Sequence, residues 1–375
     1  MKKVYLLLTA ICLAALTGCV KEEPYTLDEA TIEVNLDTRS GTVSEQQGDR
    51  IEDVMIWVFK GENWGTLAGW RTYTPPTDAY AHTSLTLHIP VALCNGDEET
   101  YRLVAVLNQD TWGDIVDANG EALTLNSETT YAQLIGARFA NSTLIESAIT
   151  EGKPGVPYTM PVSHWCDVTV KKEHTHANNK CAVANLDVFR SIAKTQLFVT
   201  KASNDFNLVI NSATLKSSKA PTEGMVLSSV AAADLKATNA TPAWFGTNAP
   251  ATFNADFSQS LKNQANGFNT VSLPAAEGDP AETFVGSAFL YENKGGSDAW
   301  NVASENGGYC LEVVYSVDGG TTFKTENVWL PPVARNHDIQ ARALVETSKT
   351  SQITFNVKYE VVEWDTVNND EINFQ

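Results

Sequence analysis

Five side chains that can bind a transition metal lie within an 18-residue stretch, at positions His164, Cys166, His174, His176 and Cys181. Imidazole nitrogen and thiolate sulfur are zinc ligands, and structural zinc sites usually place them as Cys-x-x-Cys or His-x-x-x-His pairs. Neither spacing is present here. A solvated hairpin, closed or not by a disulfide, is therefore favoured over a zinc site, and we predict that the protein holds no metal.

Motifs for catalysis are absent from the sequence. It contains neither the Gly-x-Ser-x-Gly turn of a hydrolase nucleophile nor a phosphate-binding glycine loop. Residues 117–121 resemble the start of a calcium-binding loop, but Glu128 supplies the twelfth residue only in a forced register, so a polar turn is favoured. A pair of carboxylates for glycoside hydrolysis has no sequence spacing that would identify or exclude it, so the sequence leaves that alternative open. We expect no enzyme activity, no catalytic residue and no cofactor.

Cys19 is the residue whose surroundings indicate a covalent modification. Residues 1–18 begin with a basic pair and continue with an apolar run at 4–16, which is short for a membrane span and typical of a secretory signal. Residues 16–19 (Leu-Thr-Gly-Cys) resemble a bacterial lipobox, in which the cysteine sulfur carries diacylglycerol. An ordinary cleaved signal with an incidental cysteine is the alternative. Each buried acyl methylene contributes about 0.8 kcal/mol, so a lipidated Cys19 would be a durable anchor.

The residues that follow Cys19 indicate where the anchored protein resides. Residues 20–23 (Val-Lys-Glu-Glu) resemble the tag that sends lipoproteins of the Bacteroidota to the cell surface. We therefore predict a signal peptide at residues 1–18 and a lipid tether at residues 19–29. The precursor is expected to be anchored in outer-membrane lipid through Cys19 and exported to the cell surface.

The first strand-like segment stands between that tether and a cleavable stretch. From residue 31 to residue 38 apolar and polar side chains alternate, as in a half-buried β-strand. Arg39 follows immediately, and residues 42–49 form a polar run that is expected to be exposed and easily cut by proteases. A first strand that can be severed from its own domain favours a role in assembly over catalysis.

Composition sets the broad class. The chain has 375 residues, of which 43% are hydrophobic, enough for two ordinary domains with cores of their own. Loss of residues 1–18 would remove two lysines and no acid, lowering the formal net charge from −19 to −21. Such a surface repels nucleic acid and anionic lipid headgroups, so we expect no nucleic-acid partner. Cys94, Cys166, Cys181 and Cys310 would remain, and they allow three disulfide pairings.

The elements that must position these residues are mostly short strands separated by Gly, Pro and Asn clusters, which indicates an all-β antiparallel sandwich. The predicted strands are residues 31–38, 54–59, 83–89, 101–107, 206–215, 284–291, 309–317, 323–330, 339–346 and 353–361. One minor helix is predicted near residues 131–138, capped by Asn126 or Ser127. A polar stretch before an apolar series at 183–199 places a domain boundary near residues 178–182, giving an N-terminal domain at 30–181 and a C-terminal domain at 182–375.

Several segments together resemble the fimbrillin family, the subunits of type V pili in the Bacteroidota. Each is weak alone, but their order and spacing are fairly specific. Besides the lipobox and the first strand with its Thr-Arg, they are residues 54–62, 187–194 (Asp-Val-Phe-Arg-Ser-Ile-Ala-Lys), 289–293 (Phe-Leu-Tyr-Glu-Asn), 334–337 (Ala-Arg-Asn-His) and 362–364 (Val-Glu-Trp). The match departs at Ile339, where an aromatic residue is common.

The resemblance implies two Greek-key, transthyretin-like β-sandwich domains and a maturation step. A trypsin-like or arginine-specific protease would cut after Arg39, with Arg50 as the second candidate, and would thereby remove the first strand. The vacated groove would accept a C-terminal strand, from residues 353–361 or from the tail to residue 374, of another copy or a related pilin. Head-to-tail joining of this kind yields a fimbrium that supports adhesion.

A surface lipoprotein that does not polymerise, or a pilus-tip adhesin, is the alternative. It would bind glycans or host and bacterial surface proteins through aromatic side chains in loops. The tryptophans that fall in predicted loops are Trp64, Trp70, Trp112, Trp244 and Trp300, and those in or beside predicted strands are Trp57, Trp329 and Trp364.

Overall fold

The computed structural model describes residues 29–37, 51–75, 84–92, 98–146, 159–171, 180–232, 252–264, 267–293, 308–347 and 353–363. Nearly all regular structure in these ranges is β, which confirms the predicted all-β sandwich class. Within the same ranges, no helix has the length and apolar character needed to cross a membrane.

The first part of the chain forms two facing sheets. Its strands are β1 (Glu29–Asp37), β2 (Val54–Lys60), β3 (Thr66–Tyr73), β4 (Ser84–Ala92), β5 (Glu98–Leu107), β6 (Asp114–Val116), β7 (Arg138–Ala140), β8 (Val162–Lys171), β9 (Lys180–Asp187) and β10 (Phe189–Arg190). One sheet has the order β4-β1-β9 and the other the order β10-β8-β5-β2-β3, while β6 and β7 form a small separate sheet with β14 (Gly224–Met225). Alternate side chains from both, including Val34, Ile56 and Leu103, meet in one buried core.

The rest of the chain forms a second pair of sheets. Its strands are β11 (Ala193–Lys201), β12 (Leu208–Ser217), β13 (Ala220–Pro221), β14 (Gly224–Met225), β15 (Phe253–Asn254), β16 (Phe257–Ser260), β17 (Val271–Leu273), β18 (Thr283–Leu290), β19 (Cys310–Ser316), β20 (Lys324–Trp329), β21 (His337–Thr347) and β22 (Ile353–Glu363). The sheet orders are β18-β11-β21-β22 and β16-β12-β19-β20, and β17 also pairs with β12. Outside these two sheets, β13 pairs with β15, and β14 pairs with β7 of the first part of the chain. These sheets enclose a core of their own.

The two sheet pairs share one arrangement. In each, the first strand lies between an antiparallel and a parallel neighbour: β1 between β4 and β9, and β11 between β18 and β21. In each pair, the second strand lies in the sheet opposite the first strand. There it pairs with another interior strand of that sheet, β2 with β5 and β12 with β19. The Greek-key, transthyretin-like description of the sandwiches stays a prediction.

The predicted boundary between residues 181 and 182 lies inside β9. Strand β9 pairs with β1 over seven register positions, its apolar side chains and Val188 belong to the first core, and β10 pairs with β8, so the chain reaches the second sheet pair at β11.

Two short helices cover the outer face of the larger first sheet: α1 (Tyr131–Gly136) and α2 (Ser142–Ile145). The predicted helix is α1, but its cap is Thr130 and not Asn126 or Ser127. The hydroxyl of Thr130 accepts from Gln133 N at 3.2 Å, and the Gln133 side chain accepts from Thr130 N at 2.9 Å. This reciprocal pair is the capping box, which satisfies two backbone donors at once.

Three of the segments that resemble the fimbrillin family meet at the junction between the two sheet pairs. Arg335 is fully buried and donates to Glu292 Oε2 at 2.7 Å and to the carbonyl of Met225 at 2.9 Å. Arg190 Nη1 donates to Asn336 Oδ1 at 3.2 Å. A buried guanidinium needs such partners to offset its desolvation, so these motif residues fix how the chain crosses from one sheet pair to the other.

Candidate functional site: the slot of strand β1

Strand β1 occupies the middle of a sheet although it is the first strand of the chain. It pairs with β4 in antiparallel register from Glu29↔Ala92 to Asp37↔Ser84, and with β9 in parallel register up to Asp37↔Asp187. We call the space between β4 and β9 the β1 slot. A strand in this position makes backbone hydrogen bonds on both sides, so its departure would leave two unpaired edges.

The inward side chains of β1 are completely enclosed. Ile32 and Val34 are 0% exposed and Leu36 is 1% exposed, because they point into the first core between the two sheets. Burying an aliphatic side chain of this size contributes about 1.5–3 kcal/mol. The β1 slot is therefore a row of three apolar sites that an alternating strand can fill.

The outward side chains of β1 fix its register. Asn35 Nδ2 donates to Asn185 Oδ1 at 3.1 Å on β9, and the hydroxyl of Thr86 on β4 donates to Asn35 Oδ1 at 3.0 Å. One amide thus connects the strands on both sides of the slot. Because a shift of one residue would place an apolar side chain at this point, the amide specifies one alignment.

The ends of the slot also hold β1. Val188 N donates to the carbonyl of Asp37 at 2.9 Å, and Cys181 Sγ donates to the carbonyl of Thr31 at 3.4 Å. From the sequence, Asn35 had no predicted role, and Cys181 was considered only as a metal ligand or a disulfide partner. Nothing in the sequence could identify them, because their importance depends on the parallel pairing of β1 with β9.

The walls of the slot have supports that do not involve β1. Strand β3 approaches β4 so closely that a Cβ on Gly69 would lie 2.6 Å from the carbonyl oxygen of Pro90, and Arg71 donates to the carbonyl of His88. Only glycine fits at position 69. On the other side, β9 continues into β10, which pairs with β8. We infer that β4 and β9 keep their positions when β1 is absent.

The C-terminal strand β22 lies at an edge. It pairs with β21 over eleven register positions, from His337↔Glu363 to Thr347↔Ile353. Among the described residues it has no partner on its other side. Its apolar row packs on the second core but is only half-buried: Ile353, Phe355, Val357, Tyr359 and Val361.

The predicted sites of lipidation and cleavage, Cys19, Arg39 and Arg50, all lie outside the described residues, as does Cys94. Among the described residues, Cys166, Cys181 and Cys310 form no disulfide. Each of the three pairings considered from sequence needs a bond between two of these thiols, so none of the pairings is present in full.

The described residues contain no group of three or more His, Cys, Asp or Glu side chains that could hold a metal ion. His164 is buried with its ring edge-on to Phe189, at a centroid distance of 4.9 Å, while His174 and His176 lie outside the described ranges. Burial raises the pKa of the Cys166 thiol to about 12, which keeps it protonated and a poor ligand. Asp117 accepts from the backbone N–H groups of Asn119 and Glu121, as a polar turn does.

The tryptophans in the core and those near the surface are not the same sets as predicted. Trp57 is in the core as expected, but Trp112 is also fully buried, and its indole N–H donates to the carbonyl of Leu107 at 2.7 Å. Trp70 lies on β3 with its ring 4.6 Å from that of Trp57 and is half-buried, as is Trp64. Trp244, Trp300 and Trp364 lie outside the described residues.

No protein-family model matches the sequence, and no curated protein matches it. Among solved structures, the chain is similar to the tip fimbrial protein Mfa3 from Porphyromonas gingivalis, with 10% identity, 90% of this chain and 100% of that chain covered, and a TM-score of 0.44. It is similar to a fimbrial assembly protein from Parabacteroides distasonis, with 12% identity, 89% and 97% coverage, and a TM-score of 0.44.

It is also similar to the fimbrial anchor protein Mfa2 from Porphyromonas gingivalis, with 10% identity, 90% and 98% coverage, and a TM-score of 0.37. Values this low assign no role to any residue of this chain. These three structural neighbours are described as fimbrial proteins.

Proposed function

We propose that the protein is a structural subunit of a surface pilus, a fimbrium that supports adhesion, and that it polymerises by strand exchange after proteolytic removal of β1. The feature that supports this above others is the β1 slot: the first strand of the chain completes a sheet from its middle. Tip, assembly and anchor proteins of fimbriae are among its structural neighbours, and the proposed role is of the same kind.

The maturation step follows from how β1 is attached. In the proposed precursor, Cys19 carries the lipid that holds the chain in the outer membrane, and residues 38–50 join β1 to the rest of the protein. A cut after Arg39, or after Arg50, would leave β1 bound only by its buried side chains and by ladder hydrogen bonds of about 0.5–1.5 kcal/mol net each. The lipidated strand would then separate from the subunit.

The strand that refills the slot is proposed to be β22 of a neighbouring subunit. At the edge of its sheet, β22 forms backbone hydrogen bonds with a neighbouring strand on one side only, and its row of apolar side chains is only half-buried. In the β1 slot the same strand would pair on both sides and bury that row fully, as β1 does. The transfer therefore gains a ladder of hydrogen bonds and apolar burial, which supplies a driving force.

The sequence of β22 also repeats the pattern of β1. Residues 32–36 read Ile-Glu-Val-Asn-Leu, and residues 353–357 read Ile-Thr-Phe-Asn-Val. In both segments, three inward apolar side chains alternate with two outward polar ones, of which the second is an asparagine. Aligned this way, Asn356 would take the place of Asn35 between Thr86 and Asn185.

Cleavage is tested on the purified precursor with an arginine-specific protease. We expect new amino termini at Ser40 or Ile51, followed by filaments visible in electron micrographs. The double variant Arg39→Ala/Arg50→Ala should stay intact and monomeric, while the control Gln46→Ala/Gln47→Ala in the same segment should behave as wild type. Normal filaments from the arginine double variant, or uncut surface protein without fibres, would refute the proposal.

The alignment of β22 is tested separately by cross-linking between subunits. Thr86→Cys with Asn356→Cys should give a disulfide between subunits once filaments form, since these side chains would face each other. Thr86→Cys with Lys358→Cys, two residues further along the same face, should not. Filaments that cross-link through position 358 instead would reject this register but leave polymerisation itself intact.

The partners follow from the same geometry. A strand given by one subunit and a slot offered by the next are different surfaces, so the contact is head-to-tail and produces an open filament of this chain or of related pilins. We further propose two sandwich domains with the boundary between β10 and β11. Ligands on host or bacterial surfaces would be bound by the assembled fimbrium.

A further inference from the structure

A cleft of about 460 Å³ opens between α2 and the short strands β15 and β16, far along the chain from the β1 slot. Its volume is within the range of about 300–1,000 Å³ that is typical of small-molecule sites. Tyr291 and Tyr309 line it together with three acidic residues, Asp114, Glu146 and Asp256. We propose that this cleft binds an uncharged sugar.

Tyr309 can bond to a ligand because its side chain lines the cleft. The residue is only 2% exposed, and its hydroxyl is not among the buried polar atoms that lack a partner in the described residues. A phenol hydroxyl at the wall of a cleft can both donate and accept a hydrogen bond with whatever fills the cleft. A ligand hydroxyl in the cleft would form such a bond.

Tyr291 defines which hydrogen-bonding role the ligand must play. Its hydroxyl oxygen already accepts from Asn141 N at 2.8 Å, so its own proton is left to donate. Burial raises the pKa of both phenols, which therefore keep their protons at neutral pH. The ligand must offer an acceptor to Tyr291, which an ammonium group cannot do.

Three acidic side chains in the lining require that the ligand also donate hydrogen bonds. They belong to Asp114, Glu146 and Asp256, and a carboxylate accepts hydrogen bonds but cannot donate them. Among the described residues that line the cleft there is no lysine or arginine. Like charges would repel an anionic ligand. Hydroxyl groups, which both donate and accept, match the phenols and the carboxylates together.

Aromatic side chains beside the cleft suit the apolar faces of a sugar ring. Phe257 lines the cleft and packs edge-on against Tyr309, at a centroid distance of 5.6 Å. Phe253 is 51% exposed, and both its neighbour Asn254 and its strand partner Pro221 line the cleft. An exposed phenylalanine at the rim of a polar cleft provides a surface for such a ring.

The test is calorimetric titration of the full chain with cellobiose, chitobiose, lactose and maltose as uncharged probes, sialyllactose as the anionic probe and spermidine as the cationic probe. We expect at least one uncharged disaccharide to bind with a dissociation constant on the order of 1 mM or below. Tyr309→Phe, which removes only the hydroxyl, and Asp256→Asn, an exposed change, should each weaken binding about tenfold.

Asp279→Asn is the matched control, since Asp279 does not line the cleft, and it should leave the affinity unchanged. Stronger binding of spermidine than of any sugar would make this a cation site, and stronger binding of sialyllactose would overturn the charge argument. The inference also fails if no uncharged probe binds at about 10 mM, or if neither Tyr309→Phe nor Asp256→Asn weakens the binding.

Discussion

Ile32 and Asn35 lie on opposite faces of β1, so truncation of each should have a different effect on the uncut protein. Ile32→Ala leaves a cavity in the first core and is expected to lower the free energy of unfolding by about 2–5 kcal/mol. Asn35→Ala removes two exposed hydrogen bonds and should lower it by no more than about 1 kcal/mol. Urea unfolding followed by tryptophan fluorescence measures both.

After removal of β1 by the protease, the two variants and the wild type should have the same stability, because the altered residue is no longer present. A difference that persists in the cleaved, β1-free protein would mean that β1 does not leave. This comparison uses the uncut variants as their own controls.

His337 should make the stability of the fold depend on pH. Burial lowers its pKa to about 4, and its Nδ1–H donates to the carbonyl of Arg335 at 2.7 Å. Since the unfolded histidine takes up its proton near pH 6.5, the unfolded state binds more protons between about pH 6.5 and 4. Stability is therefore full above pH 6.5 and falls as the pH drops through this window.

The expected loss from His337 is on the order of 3 kcal/mol by pH 4. It is measured by urea unfolding at a series of pH values in the wild type and in His337→Asn. The variant should have a shallower pH dependence, whatever its absolute stability. Parallel curves for the two proteins would show that His337 does not titrate in this way.

At the level of single residues, the sequence predicted polar and apolar positions in strands but not their partners. The alternation that identified Ile32, Val34 and Leu36 as inward-facing is confirmed, because a strand with one buried face has no other pattern. Trp112 was predicted to lie in a loop, where its side chain could be exposed. Its burial depends on α1, α2 and Phe139, which only tertiary packing brings over it.

The departure of β1 as an element should be visible at Cys181. This thiol is buried beneath the carbonyl of Thr31 on β1, whereas Cys310 lies on β19 in the second sheet pair. Maleimide should therefore label Cys181 slowly before cleavage and much faster in the cleaved monomer. Cys310 should show no change. Peptide mass spectrometry measures each site.

Protection of Cys181 should return when filaments form, because a new strand covers it. The Arg39→Ala/Arg50→Ala variant treated with the same protease serves as the control and should keep Cys181 protected throughout. Equal labelling of Cys181 in cleaved monomer and in precursor would show that the slot does not empty.

At the level of elements, strand positions were predictable and strand pairing was not. The segments predicted at 54–59, 101–107 and 353–361 correspond to β2, β5 and β22 within a few residues. Their periodicity is local, so it can be read from a single sequence. The parallel contact of β1 with β9 joins residues about 150 positions apart, and no local pattern encodes it.

The whole molecule carries a strong negative charge, and this should control how fast cleaved subunits join. The formal net charge of the chain is −19, so two subunits approaching each other repel. The screening length falls from about 30 Å at 0.01 M salt to about 10 Å at 0.1 M. We expect light scattering after cleavage to rise faster as NaCl increases over this range.

Sucrose at matched osmolality is the control and should not reproduce the acceleration by salt. Slower assembly at higher salt would instead indicate that attraction between opposite charges brings the subunits together. Domain organisation was only partly predictable at this scale: two sheet pairs were expected, but the pairings that join β9 and β10 to the first of them cannot be read from local sequence.

The parallel alignment of β1 with β9 has a mechanical consequence. A strand that fills this slot and belongs to the next subunit would be pulled along its own axis when the fibre is stretched. Under such shear the load is shared by all the hydrogen bonds on both sides of the strand at once, whereas a peeling force would break them one by one. A fibre joined in this way would resist tension, such as the drag of flowing fluid, far better than the strength of any single bond suggests.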